Sequence, residues 1–164
     1  MGKLLWGSVL ATVGIAVVAV VGMRAFAPAE LTAHDAARRY LNVACPADAQ
    51  IRAVDDAVAN GDIAAVKEAA ERARDLSRTA AVNLGDDRIA WPAGVAGDVG
   101  DLTRVYFAAM RPYDALSHAP SRNGMYEIVL PGRPGDSVPA LRLRAALGLP
   151  ADIGAACEAD SAHT

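Results

Sequence analysis

The feature that most constrains this chain is an unbroken apolar run from Leu4 to Met23, with no charge between Lys3 and Arg24. A helix needs about 20 such residues to cross the hydrocarbon core of a bilayer. A buried helix of a soluble domain rarely excludes polar side chains on every face. Residues 1–29 are therefore expected to form a transmembrane anchor or uncleaved signal, inserted in the lipid bilayer through residues 4–23. A cleaved signal peptide is the alternative. Lys3 supplies its basic start and Ala25-Phe26-Ala27 its cleavage site. Against it, Pro28 opposes cutting there, and the apolar core exceeds the roughly 7–15 residues of such peptides. Lys3 and the amino terminus ahead of the run, set against Arg24 behind it, favour a cytoplasmic N-terminus by a narrow margin. The expected location is the cell membrane, single-pass, with the bulk of the chain extracytoplasmic; secretion after cleavage is the alternative.

Residues 30–164 are enough for one domain with a core of its own. They carry 14 basic and 19 acidic side chains, a formal charge of −5. With no basic patch to neutralise phosphates, nucleic acid is excluded as a partner class, and anionic lipid headgroups are a poor match for the domain as well. The chain has two cysteines, Cys45 and Cys157, both on the expected outer side. An even number in an oxidising compartment points to a disulfide. Closing a loop of roughly 110 residues is worth about 4–5 kcal/mol at most on chain-entropy grounds. Two free buried thiols and a redox pair are the other readings, although no C-x-x-C accompanies them.

Periodicity predicts an all-α fold: a bundle of four or five helices following the N-terminal transmembrane helix, with one disulfide. Thr32 is an N-cap with Asp35 three residues on, and Ala36, Ala37, Tyr40, Leu41 and Ala44 form an apolar stripe that Pro46 ends or kinks. A second helix is expected over 47–59, with Ile51, Val54 and Val58 inward. Asn60-Gly61-Asp62 stops it and caps the next, whose inward seam reads Ile63, Val66, Ala70, Ala73, Ser77, Ala80 or Ala81, and Leu84. Lys67–Glu71, Glu68–Arg72 and Asp75–Arg78 mark its solvated face. Trp91-Pro92 opens a fourth helix with Val95, Val99, Leu102, Tyr106 and Met110 inward. Gly94, Gly97 and Gly100 within it imply close helix contact or a frayed first turn. Residues 119–136 are irregular, with Met125–Leu130 either a short strand, a cover for a core edge, or an apolar face offered to a partner. A last helix capped by Ser137 contains Leu141 and Ala145 and stops at Gly148-Leu149-Pro150.

The stretches Arg38–Pro46, Trp91-Pro92 and Arg144–Pro150 followed by Cys157, in an Arg-rich and Ala-rich chain, resemble small exported helical proteins of actinobacteria. Those are membrane-anchored or lipoprotein-like and largely without assigned function. The resemblance implies architecture and compartment but no activity. This chain departs from the lipoprotein members in lacking a lipidated Cys.

No residue set specifies a chemistry. His34, His118 and His163 belong to no zinc pattern, and no G-x-S-x-G, Walker or dinucleotide-binding fingerprint occurs. Asp55-Asp56 and Asp86-Asp87 are adjacent and diverge on a helix. Asp98 and Asp101 share a face, where a bound cation competes with a simple first-turn acidic cluster. No catalytic, cofactor-binding or metal residue is assigned, and no cofactor is expected. The expected function is a non-enzymatic envelope protein that engages a protein or cell-wall partner. A small-ligand binder lined by Trp91, Tyr106 and Tyr113 is the alternative, and an envelope enzyme using Asp98, Asp101 or His118 is third. Tyr126, Ile128 and Val129, with those three aromatics, are the candidate partner or ligand surface. A packed aromatic interior with Tyr126–Leu130 exposed would favour the partner reading, and an aromatic-lined pocket the ligand reading.

Overall fold

The computed structural model describes residues 28–162, so the apolar run at 4–23 lies outside the described residues. Among those described, no helix is long and apolar enough to cross a membrane. The fold is all-α: α1 (Ala33–Asn60), α2 (Ile63–Leu84), α3 (Ala96–Ser117), α4 (Arg122–Tyr126), a 3-10 turn (Pro134–Asp136), α5 (Val138–Ala146) and α6 (Ile153–Ser161). The three long helices run up, down and up with α2 in the middle, packed on both α1 and α3. The close approach follows from the small residues of its seam: Ala69, Ala70, Ala73, Ser77, Ala80 and Ala81 are all buried. The C-terminal third closes the opposite side. There α5 packs on α3, α6 packs on α1, and the 3-10 turn touches both long helices.

Local chemistry sets the ends. Thr32 Oγ1 accepts from the Asp35 amide at 3.1 Å and starts α1. Gly61 takes φ 71°, the left-handed conformation that favours glycine, and Asp62 Oδ1 then accepts from the Ala64 amide at 2.9 Å to start α2. The incoming chain is stapled beside the α2–α3 connection: Glu30 and Ala90 form an isolated parallel bridge, and the Leu31 amide donates to Ala90 O at 2.8 Å. Cys45 on α1 and Cys157 on α6 form the disulfide, 112 positions apart, with Cα atoms 5.7 Å apart.

Several expectations are corrected. Pro46 neither ends nor splits its helix; α1 runs through it for 28 residues. Proline removes one N–H bond and crowds a carbonyl, but Ala44, Ala47, Asp48 and Ile51 on either side are buried, and Cys45 is bridged. Tertiary packing therefore outweighs the local defect. The helix after Trp91-Pro92 begins only at Ala96. Pro92 O accepts from the Val95 and Ala96 amides in a preceding turn, and Trp91 is buried with its Nε1–H donating to Leu84 O at 3.2 Å. A Cβ added at Gly94, Gly97 or Gly100 would meet nothing within 4 Å, so close helix contact is not their reason. The hexad at 125–130 is no strand; it begins inside α4 and continues as coil. In α5 the buried residues are Ala140, Leu143 and Arg144, whereas Leu141 and Ala145 face solvent.

Candidate functional site

Asp98, Asp101 and His118, the acids and base singled out in sequence, are engaged structurally. Arg142 bridges Asp98 and Asp101: its Nε donates to Asp98 Oδ1 at 2.7 Å, and its Nη2 lies 3.7 Å from Asp101 Oδ2. Arg104 also pairs with Asp101. The pair thus ties α3 to α5 with arginine where a metal ion was the alternative. Among the described residues, no group of three or more His, Cys, Asp or Glu is placed to hold a metal. His118 ends α3, with Nδ1 2.9 Å from Asp114 O and 3.0 Å from Ser117 Oγ. His163 lies outside the described residues. On α2 the Glu68–Arg72 pair forms at 2.9 Å, but Asp75 pairs with Arg74 at 2.9 Å, and Arg74 reaches across to Asp114 on α3 at 2.9 Å. That network holds the Asp75 carboxyl below the usual carboxylate range.

The three aromatics do not line a common space. Trp91 and Tyr106 belong to the core cluster nearer the chain entry, and Tyr113 to the cluster nearer the α1–α2 turn. Burial pushes the Tyr113 phenol up to about 12 and that of Tyr106 further still.

Sequence reasoning missed a buried polar set. Arg144 is 0% exposed and forms no ion pair among the described residues. Its Nη1 donates to Tyr40 Oη at 2.8 Å and Gly135 O at 2.7 Å; its Nε and Nη2 donate to Ala151 O at 3.0 and 2.6 Å. One guanidinium thus joins α1, the 3-10 turn, α5 and the α5–α6 connection. Asp48 is also buried, with the exposed Arg52 Nη2 2.8 Å from its Oδ2 but out of line for a hydrogen bond. Burial is the largest influence on this carboxyl and raises its pKa, outweighing Arg52 and Arg133, while Asp136 and Asp152 push the same way as burial. The Arg144 bonds hold the C-terminal third in place, and neither Arg144 nor Asp48 lines the apolar groove at the α1–α2 turn.

The described surface offers a second molecule an apolar groove of about 170 Å³ beside the α1–α2 turn. Val58 and Gly61 from α1 and its turn, Ile63 and Val66 from α2, and Leu116 from α3 form its walls. Met125, Tyr126, Ile128 and Leu130 close it, and Arg122 is its one charged residue. Val58 and Ile63, both expected inward by periodicity, are each 39% exposed here because the bundle ends before a neighbour covers them. The 125–130 segment divides its side chains. Met125 is buried and Ile128 and Leu130 are half-buried on the core edge, while Tyr126 and Val129 are 69% and 87% exposed. Arg122 fastens this cover, donating to Gly61 O across the groove. The groove sits at the far end of α1 from the chain entry; 28 residues at about 1.5 Å each separate the two ends by about 42 Å. No protein-family model, curated protein or solved structure matches the chain.

Proposed function

We propose that this chain is a non-enzymatic protein of the bacterial envelope. In this reading residues 4–23 hold it to a membrane, and the apolar groove beside Gly61 docks a partner protein. The observation that carries the docking reading is the exposure of Val58, Ile63 and Tyr126 around one groove, with Val129 exposed between the lining residues Ile128 and Leu130, while Trp91, Tyr106 and Tyr113 are packed away. A contiguous apolar rim of this kind marks recognition rather than ordinary surface. The groove volume of about 170 Å³ is below the roughly 300–1,000 Å³ of a small-molecule pocket. It suits one or two anchoring side chains of Leu or Phe size, the usual core of a protein interface. An apolar lining favours protein side chains over the hydroxyls of a cell-wall glycan. Arg122, the lone charge in the lining, favours a partner with a carboxylate beside its apolar anchor. With the chain entering at the opposite end of α1, an anchored molecule would present this groove away from the bilayer.

The test is site-specific photo-cross-linking in intact cells from a photoreactive residue at Tyr126, repeated with Val129→Asp and from a control position at Glu68. The expected result is one discrete protein adduct at Tyr126 that Val129→Asp abolishes and Glu68 does not give. No adduct, or one that survives Val129→Asp, refutes the docking surface. Val129 is 87% exposed, so the substitution should leave stability within about 0.5 kcal/mol.

A further inference from the structure

The chain-entry end carries a second recess, which sets charged and amide side chains beside Leu31 and Val43 where the groove is almost wholly apolar. Asp35, Arg38, Arg39 and Asn42 from α1 and Asn83 from α2 line it, and its volume is about 570 Å³. Hydrogen-bond donors without partners among the described residues lie along it. Arg39 is held between α1 and the end of α2, with Nη2 3.3 Å from Asn83 O and 4.0 Å from Asp86 Oδ2. Its Nε–H is buried and has no acceptor among the described residues. Proteins seldom leave such a donor unmet, because dehydration without a bond costs about 1–3 kcal/mol. Arg38 and Asn42, one turn apart on α1, are exposed and have no hydrogen-bond or ion-pair partner among the described residues. Asp35 is the opposing charge, but its Oδ2 already accepts from the Thr32 hydroxyl at 2.7 Å. The recess lining is net cationic although the chain as a whole is acidic.

We propose that this recess binds an oxyanion of the phosphate or phosphodiester class between Arg38, Arg39 and Asn42. A tetrahedral anion offers acceptors in several directions and meets donors arriving from separate side chains, and guanidinium groups are suited to it. Two sources share this chemistry, free phosphate groups and lipid headgroups. The headgroup source rests on the membrane reading above, and the free-anion source does not. If residues 4–23 cross a bilayer, the eight residues 24–31 span at most about 26–29 Å, which keeps the recess within reach of the headgroups.

The experiment follows the Arg Nε–H and Asn side-chain amide signals of the full-length chain by NMR. One arm uses neutral detergent micelles titrated with inorganic phosphate against chloride at equal ionic strength. A second arm uses phosphatidylcholine nanodiscs with and without phosphatidylglycerol. The expected result is a saturable shift of Arg38, Arg39 and Asn42, weakened tenfold or more by Arg38→Gln with no change in melting temperature. A response to phosphate in micelles assigns a free oxyanion site, whether or not the membrane reading holds. A response confined to phosphatidylglycerol assigns the headgroup. Silence in both arms, or an Arg38→Gln protein that responds like the wild type, overturns the proposal.

Discussion

Replacing Arg144 with methionine isolates the one interaction that joins four parts of the fold. Arg144 is fully buried, so its stem fills core volume and its guanidinium is dry. Two of its bonds, to Gly135 O and Tyr40 Oη, are buried; the two to Ala151 O are part-buried. A hydrogen bond to a charged donor contributes about 1.5–3 kcal/mol net of dehydration. The two buried bonds therefore contribute about 3–6 kcal/mol, while Ala151 O rehydrates and adds little. Methionine matches the stem and returns about 1–2 kcal/mol through apolar burial. Arg144→Met should then destabilise by about 1–5 kcal/mol, centred on about 3, a fall in melting temperature on the order of 10 °C for a domain of this size. Urea unfolding of the oxidised full-length chain in neutral detergent measures it. Tyr40→Phe alone and the double substitution complete a cycle with an expected coupling of about 0.5–3 kcal/mol. A loss below about 1 kcal/mol, or strict additivity with Tyr40→Phe, would show that the guanidinium is not what holds the C-terminal third.

Other perturbations test separate parts of the fold. Burial raises the Asp48 pKa, so the folded state binds a proton more tightly than the unfolded chain. Asp48 therefore costs stability as pH rises from the ordinary carboxylate range through its raised folded value. Asp48→Asn should gain on the order of 1 kcal/mol at pH 7, because Arg52 is exposed enough to stay hydrated, and the gain should shrink towards pH 4 in urea titrations. Asp75 and Asp86, held low mainly by Arg74 and Arg88, act with the opposite sign and lose their stabilisation as pH falls through their folded values. Gly97→Ala and Gly100→Ala have open space for the added methyl, and each should raise stability by up to about 1 kcal/mol in thermal melts. Cys45→Ser and Cys157→Ser should destabilise equally, by about 2–4 kcal/mol, and the double substitution should be no worse. Clear additivity between the two would contradict the bridge.

Helical periodicity and cap chemistry are local, and by themselves they determined much of this protein. Thr32, Asp62 and Gly61 act where their side chains and backbone freedom predict, since a cap depends on residues two or three positions away. The Ala-rich seam of α2 was legible for the same reason: residues at 3.6-residue spacing share a face whatever covers it. The cysteine pairing was legible from the even number of cysteines and the expected oxidising compartment, but its partner helix α6 was not, because the small-residue tail has little periodicity. Tertiary structure decided the rest. Pro46 stays inside α1 because buried neighbours and a cross-link hold both sides of it. Arg144 reads as an ordinary surface arginine until three acceptors converge on it, Tyr40 Oη from 104 positions away and two carbonyls from the flanking turns. Val58 and Ile63 obey the inward period and still form a groove, because period specifies a face and only packing specifies whether anything covers it.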